Sequence, residues 1–440
     1  MIKKIIMIAF LVSYGSNAQT FNKAKLDSLF MLIETNNKGM GSFSIFKEGK
    51  EIYHKSIGYS DIANTTKNNK KTKYRIGSIT KTFTATIIAK LVEEGKLSFD
   101  TTLDTYFPNI PNAKKITIDN LLRHQSGLFN ITEQENFASW IITPKSREQM
   151  LERFIKNGTV FEPGEETKYS NTNFILLSYI AENIEHKSFS KILESRIIKP
   201  LKLQRTEYGK KINPKNNEAL PYFEEDSEWK LIKNHTDMSG PMGAGAIVST
   251  ASELNAFYES LFSGKLVSDT SLNQMTDTST GMGMGLDDNV LHGKQIYGHN
   301  GGIDGFQSLS IYIPEEKLAV TYIANGAVMS PKSCILAALK IYFGIDNKLP
   351  EFKPALLLKT EELDTYLGVY KGDTFPFEIK ITNEDAALIV HAKNGPTFSL
   401  EAYDKDKFRS EPYEVKMEFL PNQNKMILDF RNKRSEFIRE

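Results

Sequence analysis

A serine and a lysine three residues apart, Ser78 and Lys81, are the residues whose spacing points most directly to chemistry. Apolar residues recur with a helical period over 79–92, and Gly95 follows where such a helix would end. Because a short extended run comes first, we expect Ser78 at the helix N-terminus and Lys81 on the same face. A serine hydroxyl becomes a good nucleophile when a neighbouring amine accepts its proton. The pair therefore predicts a nucleophilic serine.

The Ser-x-x-Lys spacing on its own is a weak signal, because it recurs elsewhere in the chain, for example at Ser44 and Ser188. Ser44 lies in a strand-like alternation, where a residue three positions on points to the other face. Ser188 lies in a polar break between two helical patterns. Ser78 alone has the context of a strand, a glycine and a helix, and a helix cap followed by a surface lysine is the competing interpretation.

Composition sets the broad class of the chain. Its 440 residues are 40% hydrophobic and 25% charged, as in a soluble globular protein of two or three domains. The net charge of +1 gives no reason to expect a nucleic-acid partner. Cys334 is the single cysteine, so no intramolecular disulfide forms. The histidines show no metal-ligand spacing, and we expect neither a metal nor another cofactor.

The N-terminus has the pattern of a secretory signal peptide over residues 1–18. Two lysines precede an apolar run over 5–12, and Ser16-Asn17-Ala18 forms a small-x-small cleavage site. A membrane anchor is the alternative, but the apolar run is too short to span a bilayer. We therefore expect export to the periplasm or the cell exterior, with no membrane span after cleavage.

Hydrophobic periodicity predicts an α+β fold. The predicted strands are 42–46, 51–57, 281–285, 294–298, 306–313 and 318–325, and the predicted helices are 117–124, 143–156, 174–184, 189–201, 250–262 and 333–343. We expect Pro144 in the first turn of its helix and a capping box between Thr250 and Glu253. Strands at both ends of this region predict an antiparallel sheet flanked by helices, with the middle of the chain forming a helical cluster.

A second unit follows a change in composition. Residues 346–357 are polar and proline-bearing and read as a linker, so that 19–345 forms the first domain. Residues 358–440 alternate apolar and polar over short runs, which predicts a small β-barrel or sandwich. Its role is open between capping the cleft, narrowing substrate choice, supporting association and passive stabilisation.

Two further motifs follow the Ser78 helix. Tyr169-Ser170-Asn171 comes after a Pro-Gly turn and before a helical pattern, and His299-Asn300-Gly301 lies at the end of a strand pattern. Glycines crowd the histidine, which is typical of a strand that a ligand approaches closely. A buried core tyrosine and a turn histidine are the structural alternatives for these two motifs.

In these three motifs the chain resembles the serine β-lactamase and penicillin-binding superfamily, in particular the branch of class C β-lactamases, D-alanyl-D-alanine carboxypeptidases, D-amino-acid peptidases and esterases. The phrases at 116–128, 161–164 and 298–306 resemble the same family. The similarity covers about residues 20–345 and implies a β-lactamase/transpeptidase-like fold. The stretch 366–370 resembles the start of the lipocalin-like modules found in some members.

The resemblance also implies roles for single residues. Ser78 would attack a carbonyl and form an acyl-enzyme, and Lys81 and Tyr169 would share the proton transfer. Which of the two is the base stays open, because lysine and tyrosine have ordinary pKa values of about 10 and each shifts the other. Asn171 would hold the lysine and the substrate amide, and His299 would polarise a substrate group or relay a proton.

Backbone groups complete the implied site. The N–H groups of Ser78 and Gly302 would form the oxyanion hole, and Asn300 and Gly301 would contact substrate. Many β-lactamases carry a lysine where this chain has His299, so a fixed cation for a substrate carboxylate is in doubt. This difference argues mildly against an efficient β-lactamase.

Several nearby residues have a simpler explanation. Glu162, Glu165 and Glu166 invite comparison with a water-activating carboxylate, but a solvated acidic turn is favoured. We expect Arg123 and His124 to end a helix and not to touch substrate.

We therefore expect an exported serine hydrolase that acts on an amide or ester carbonyl in a small molecule or short peptide. A D-amino-acid peptide, a peptidoglycan fragment, an ester and a β-lactam are the candidate substrates. The alternative is a sensor protein of the same fold that is acylated once by a β-lactam or peptidoglycan fragment and does not turn over.

Overall fold

A computed structural model describes residues 21–440, except residues 226, 346–347, 353–355, 357, 373–377, 385–386, 394, 411–412, 414 and 431–432. The predicted signal peptide, residues 1–18, lies outside the described residues, as does part of the predicted linker. In the described part of the chain, no helix is both long enough and apolar enough to cross a membrane.

The helices follow one another mostly in the first three quarters of the chain. They are α1 (Lys23–Thr35), α2 (Thr80–Glu93), α3 (Ile118–Leu122), α4 (Phe137–Trp140), α5 (Arg147–Asn157), α6 (Asn171–Glu185), α7 (Phe189–Leu193), α8 (Lys199–Leu201), α9 (Met242–Gly245), α10 (Ala251–Phe262), α11 (Asp269–Thr276), α12 (Pro331–Tyr342) and α13 (Thr360–Leu363). A π-helical segment, Glu194–Ile198, joins α7 to α8, so the helix predicted over 189–201 is present with an irregular middle.

The strands form one large sheet, a barrel and three small ribbons. They are β1 (Gly39–Lys47), β2 (Lys50–Ile57), β3 (Tyr59–Asp61), β4 (Thr66–Lys67), β5 (Tyr74–Arg75), β6 (Glu207–Tyr208), β7 (Tyr222–Glu225), β8 (Glu228–Leu231), β9 (Ile247–Ser249), β10 (Asp287–Leu291), β11 (Lys294–Ile303), β12 (Phe306–Ile313), β13 (Leu318–Ala327), β14 (Gly368–Gly372), β15 (Glu378–Glu384), β16 (Ala387–Ala392), β17 (Thr397–Asp404), β18 (Lys407–Ser410), β19 (Val415–Leu420), β20 (Lys425–Phe430) and β21 (Lys433–Arg439).

The large sheet joins the two ends of the first domain in sequence. Its order is β10-β11-β12-β13-β1-β2, and every neighbouring pair is antiparallel. β1 lies beside β13, with Phe43 opposite Tyr322, although almost 280 residues separate them. The prediction that terminal segments pair in an α+β fold is confirmed.

Helices cover both faces of this sheet. On one face, α1 and α12 bury Phe30, Ile33, Ile335 and Leu339 against β1 and β13. On the other face lies the helical cluster, whose core includes α2, α6 and α10. Burying apolar side chains on both sides fixes the sheet between two layers of helix.

Helix α2 is the centre of the helical cluster, because nearly all of its residues are buried. The Phe83 ring stacks on Phe257 of α10 with the ring centroids 3.7 Å apart. Two threonines on other faces donate hydrogen bonds to carbonyl oxygens, Thr82 to Gly285 and Thr84 to Gly243, each at 2.7 Å. Because α2 is packed and hydrogen-bonded on several faces, the turn before it, which contains Ser78, has a fixed position.

The C-terminal strands β14–β21 close into a barrel of eight antiparallel strands. Inward-facing residues such as Ile381, Val390, Phe408 and Phe437 are buried and fill the interior. Closure removes the free edges of the sheet. The barrel thus matches the predicted fold of the C-terminal region.

Three local predictions are wrong. Residues 281–285 form turns and not a strand, since Gly283 and Gly285 lie against backbone atoms and a strand begins only at Asp287. Helix α5 begins at Arg147 and not near Pro144, because Ser146 and Gln149 form a capping box there. Thr250 caps α10 through the N–H of Glu253, but the Glu253 carboxylate bonds Thr206 and two backbone N–H groups elsewhere.

A buried ion pair fastens the start of α2 to the sheet. Arg75 of β5 pairs with Asp304 in the turn between β11 and β12, and only 2% and 7% of these side chains are exposed. Asp304 also accepts hydrogen bonds from the backbone N–H and hydroxyl of Thr236, at 2.9 and 2.7 Å. The pair therefore joins the strand before Ser78 to the turn after the His299 strand.

We expect Asp304→Asn to lower the free energy of unfolding by about 3–5 kcal/mol, because Arg75 then remains as a buried charge without its partner. Equilibrium unfolding in urea measures the change. Glu162→Gln is the control, since Glu162 pairs with Lys115 where both side chains are more than half exposed, and its stability should hardly change. Equal stability of Asp304→Asn and the wild type would show that the pair does not fasten the two segments.

Candidate active site

The side chains of Ser78, Lys81 and Tyr169 meet at one point. Ser78 lies in a 3₁₀ turn, Gly77–Ile79, directly before α2. Its Oγ atom lies 2.9 Å from Lys81 Nζ, one turn along, and 2.7 Å from the Tyr169 hydroxyl. The Tyr169 hydroxyl donates to Ser78 Oγ. Two segments separated by about 90 residues thus bring a phenol and an amine within hydrogen-bond distance of the same hydroxyl.

The Lys81 amine is fully buried, and its contacts are with neutral groups. Besides Ser78 Oγ, Nζ lies 2.8 Å from Asn171 Oδ1 and 2.8 Å from the carbonyl oxygen of Ala244. Burial lowers the pKa of Lys81 well below its ordinary value of 10.5, and the negative charge of Asp287 opposes this only partly. A neutral amine has two N–H groups for the two carbonyl oxygens and one lone pair, which can face the serine hydroxyl.

Burial also has the largest effect on the pKa of Tyr169. It raises the pKa of the phenol well above 10, more than the hydrogen bond with Ser78 lowers it. A charged lysine would favour the phenolate, but burial lowers the pKa of Lys81 and raises the pKa of Tyr169, so it favours the neutral amine and the protonated phenol. Tyr169 is therefore a hydrogen-bond donor to Ser78.

The His124 ring packs against the Tyr169 ring. The two rings lie 4.5 Å apart between centroids, and His124 also contacts Phe174 at 5.2 Å. Its Nδ1 atom accepts a hydrogen bond from the Ser170 backbone N–H at 3.0 Å, and burial lowers its pKa well below 6.5. Sequence reasoning treated His124 as the end of a helix, although its position within the 116–128 phrase offered a signal.

Asn171 is the first residue of α6 and is fixed by a second asparagine. Its backbone N–H and side-chain amide both donate to Asn130 Oδ1, at 3.0 and 3.2 Å. This leaves Asn171 Oδ1 turned towards Lys81. The sequence offered no signal for Asn130 or for the Ala244 carbonyl.

His299 lies in the middle of β11, not at the end of a strand, and is buried. Its ring centroid lies 6.4 Å from that of Tyr169, and Nδ1 contacts the Asn300 carbonyl oxygen at 2.6 Å. Burial lowers its pKa, partly opposed by Asp287. A neutral imidazole therefore lies beside the phenol.

Glycines bring β11 against the turn that holds Ser78. Gly77 has a φ of +52°, and a Cβ atom there would lie 2.7 Å from the Gly302 nitrogen. A Cβ on Gly301 would overlap the carbonyl oxygen of Ile76. The backbone of Gly302 can thus approach Ser78, and both residues line the same cleft. Asn300 is exposed, whereas Gly301 is buried, and neither lines that cleft.

The cleft beside Ser78 has a volume of about 730 Å³. Ser78, Asn171 and Gly302 line it together with residues of the segments 131–142, 234–245 and 303–304 and with one residue each of α5 and α6, Met150 and Ile175. Glu162, Glu165 and Glu166 are exposed and do not line it, and Glu162 pairs with Lys115. Their position agrees with the expected solvated turn.

Comparisons with known proteins agree with the fold and site described above. The fold is that of the serine β-lactamases and penicillin-binding proteins, and residues 34–342 match the family model described as Beta-lactamase. The chain therefore belongs to the beta-lactamase family, which confirms the resemblance seen in the three motifs. Membership supports a serine hydrolase as the class of enzyme.

Three similar proteins cover different shares of the chain. Penicillin-binding protein 4* of Bacillus subtilis (strain 168) is 26% identical over 380 residues, which are 79% of this chain and 83% of that protein. The D-amino acid amidase from Ochrobactrum anthropi SV3 has a TM-score of 0.61 at 26% identity, covering 72% of this chain and 99% of that one. The octameric penicillin-binding protein homologue from Pyrococcus abyssi, at 24% identity and a TM-score of 0.67, covers 94% and 99% and shares the fold.

Neighbouring glycines should respond differently to alanine. Gly301→Ala places a methyl group on the Ile76 carbonyl, and we expect a loss of about 1–3 kcal/mol of stability. Gly302→Ala meets no atom nearer than 4.0 Å, so its melting temperature should stay near that of the wild type. Thermal unfolding of both variants measures the difference, and equal melting temperatures would contradict the close packing of β11 on the Ser78 turn.

The buried Lys81 amine should make stability depend on pH. Because its folded pKa lies below 10.5, the unfolded state binds more protons, and stability rises with pH between the folded pKa and 10.5. Lys81→Met removes this group. We expect the wild type to gain stability relative to Lys81→Met as the pH rises from 6 to 9, measured by urea unfolding at each pH. A difference that is constant with pH would contradict a lowered pKa.

Proposed function

We propose that the chain is an exported serine hydrolase that acts on amide or ester carbonyls through an acyl-enzyme intermediate. The observation that carries the proposal is the double contact of Ser78 Oγ, with Lys81 Nζ at 2.9 Å and the Tyr169 hydroxyl at 2.7 Å. Such a hydroxyl has a base and an acid within hydrogen-bond reach. The family match and the fold shared with a D-amino acid amidase support an acyl-transfer reaction.

In this mechanism Lys81 is the base. Its neutral amine accepts the Ser78 proton while Oγ bonds to the substrate carbonyl carbon. The carbonyl oxygen takes the negative charge and is stabilised by the backbone N–H groups of Ser78 and Gly302. Asn171 and the Ala244 carbonyl hold the amine towards Ser78 during this step.

Tyr169 then acts as the acid. When the carbon–nitrogen or carbon–oxygen bond breaks, the phenol gives its proton to the leaving group and becomes a phenolate, which the protonated Lys81 nearby stabilises. In hydrolysis the phenolate takes a proton from the attacking water, and Lys81 returns its proton to Ser78 Oγ as the acyl group leaves, which restores the Ser78 hydroxyl. His299 lies beside the phenol and would orient a substrate group, and Asn300 and Gly301 would support that contact from β11.

The substrate remains one of the small acyl compounds named above: a D-amino-acid peptide, a peptidoglycan fragment, an ester or a β-lactam. The basic and apolar pattern of residues 1–18 supports export. An exported chain of this family would meet such compounds outside the cytoplasm.

Adduct formation tests the nucleophile. Intact-mass analysis after treatment with a fluorophosphonate and with a penicillin should show one added group on the wild type and none on Ser78→Ala. Turnover of a chromogenic ester should fall at least about a thousandfold in Ser78→Ala. Ser188→Ala is the matched control, because Ser188 has the same spacing to Lys191 but is exposed and does not line the cleft.

The same experiment separates the enzyme from the sensor. Sustained turnover that is lost in Ser78→Ala supports the hydrolase. One equivalent of adduct without steady-state turnover supports the sensor. Labelling of Ser78→Ala equal to the wild type would disprove Ser78 as the nucleophile.

A further inference from the structure

The cleft that Ser78 lines has an apolar part, called the apolar pocket below, whose wall includes no residue of the three motifs. Its wall consists of Ile131, Phe137, Ile141, Ile142, Met150 and Ile175. These residues come from the segment before α4, from α4 and the two residues after it, and from α5 and α6. Removing an apolar group from water into such a pocket is favourable in proportion to the area buried.

Most of this wall is held firmly, and its mouth is open. Ile131, Met150 and Ile175 are at most 2% exposed and form a fixed floor. Ile142 at the mouth is 37% exposed, and Phe137 is partly exposed. A large apolar side chain left in contact with water beside a nucleophile is a surface that a bound ligand can cover.

The pocket contains no free cation. Among the described residues that line the cleft, Asp304 is the only charged one, and Arg75 already neutralises it. Burial lowers the pKa of both Lys81 and His299, which disfavours a positive charge on either side chain. A carboxylate entering here would lose its water without gaining an ionic partner, which is costly.

From the residues that line the cleft we infer which half of the substrate the apolar pocket holds. Tyr169, the donor to Ser78 Oγ, and the neighbouring His299 do not line the cleft, so the leaving group that takes the proton departs on their side. Asn171 and Gly302 line the cleft together with Ser78. The group that stays on Ser78 therefore extends along the pocket.

We propose that this pocket makes the enzyme selective for substrates whose acyl part carries a bulky, uncharged apolar group, and against acyl groups that end in a carboxylate. The inference rests on the proposed acyl-enzyme function and names its substrate class. The substrate is then a neutral amide or ester of an apolar acid, or of an amino acid with an apolar side chain.

Three p-nitrophenyl esters test the selectivity: the acetate, the hexanoate and the monoester of adipic acid, which matches hexanoate in length and ends in a carboxylate. The value of kcat/KM for each is divided by its rate of hydrolysis by hydroxide. We expect the hexanoate to exceed both the acetate and the adipate by at least about tenfold, the discrimination that an apolar pocket can supply.

Variants connect the selectivity to this pocket. Ile142→Asp and Phe137→Ala should each reduce the ratio of hexanoate to acetate at least about threefold, and Ile142→Asp should reduce it more because it adds a charge. Ile155→Asp is the matched control, since Ile155 on α5 is 40% exposed and lies outside the cleft, and its ratio should equal that of the wild type. Should Ile142→Asp fail to fold, Phe137→Ala carries the test.

The outcomes distinguish the two proposals. If Ser78 is acylated and turns over but all three esters react equally, or if the variants keep the wild-type ratio, the selectivity inference is wrong and the hydrolase stands. If no ester or fluorophosphonate acylates Ser78, both proposals fail. A preference for the adipate would show that a cation reaches the pocket and would overturn the inference.

Discussion

The burial of the Lys81 amine is the constraint on which the rest of the site depends. In the described part of the chain this lysine makes no ion pair, and its contacts are a hydroxyl, an amide oxygen and a backbone carbonyl oxygen. A charged ammonium in such surroundings is unfavourable, so burial favours the neutral amine. Three elements maintain this burial: α2 carries the lysine, α6 supplies Asn171, and α9 supplies the Ala244 carbonyl. The helical cluster surrounds these contacts and keeps the Lys81 amine away from water.

A second constraint, close packing of backbone, connects the cluster to the sheet. β11 can lie against the Ser78 turn only because Gly301 has no side chain, and Gly77 adopts a left-handed conformation that glycine tolerates best. The buried Arg75–Asp304 pair holds the same two segments together a few residues away. The Ser78 hydroxyl from the helical layer and the Gly302 backbone from the sheet can therefore lie beside the same cleft.

The sequence allowed the main parts of this arrangement to be predicted, since they follow from local pattern. The apolar period after Ser78 defines α2, the strands at both ends define a closing sheet, and the three motifs indicate one family. What failed has a physical cause: glycine and methionine alternate over 281–285, yet those glycines serve tight backbone contacts and not a strand. The position of Asn130 depends on packing between segments about 40 residues apart, which no local pattern contains.

The proposed chemistry and the proposed selectivity of the cleft depend on different parts of the chain. Ser78 and Tyr169 lie just before α2 and α6, Lys81 and Asn171 lie on those helices, and His299 lies on β11. The apolar wall comes mostly from the 131–142 segment, and none of its side chains is a hydrogen-bond partner of the Lys81 amine. Side chains at 137 and 142 can therefore change without disturbing the state of Lys81. In the proposed enzyme, the accepted acyl group could then be changed by substitution at these positions while the arrangement around the serine stays the same.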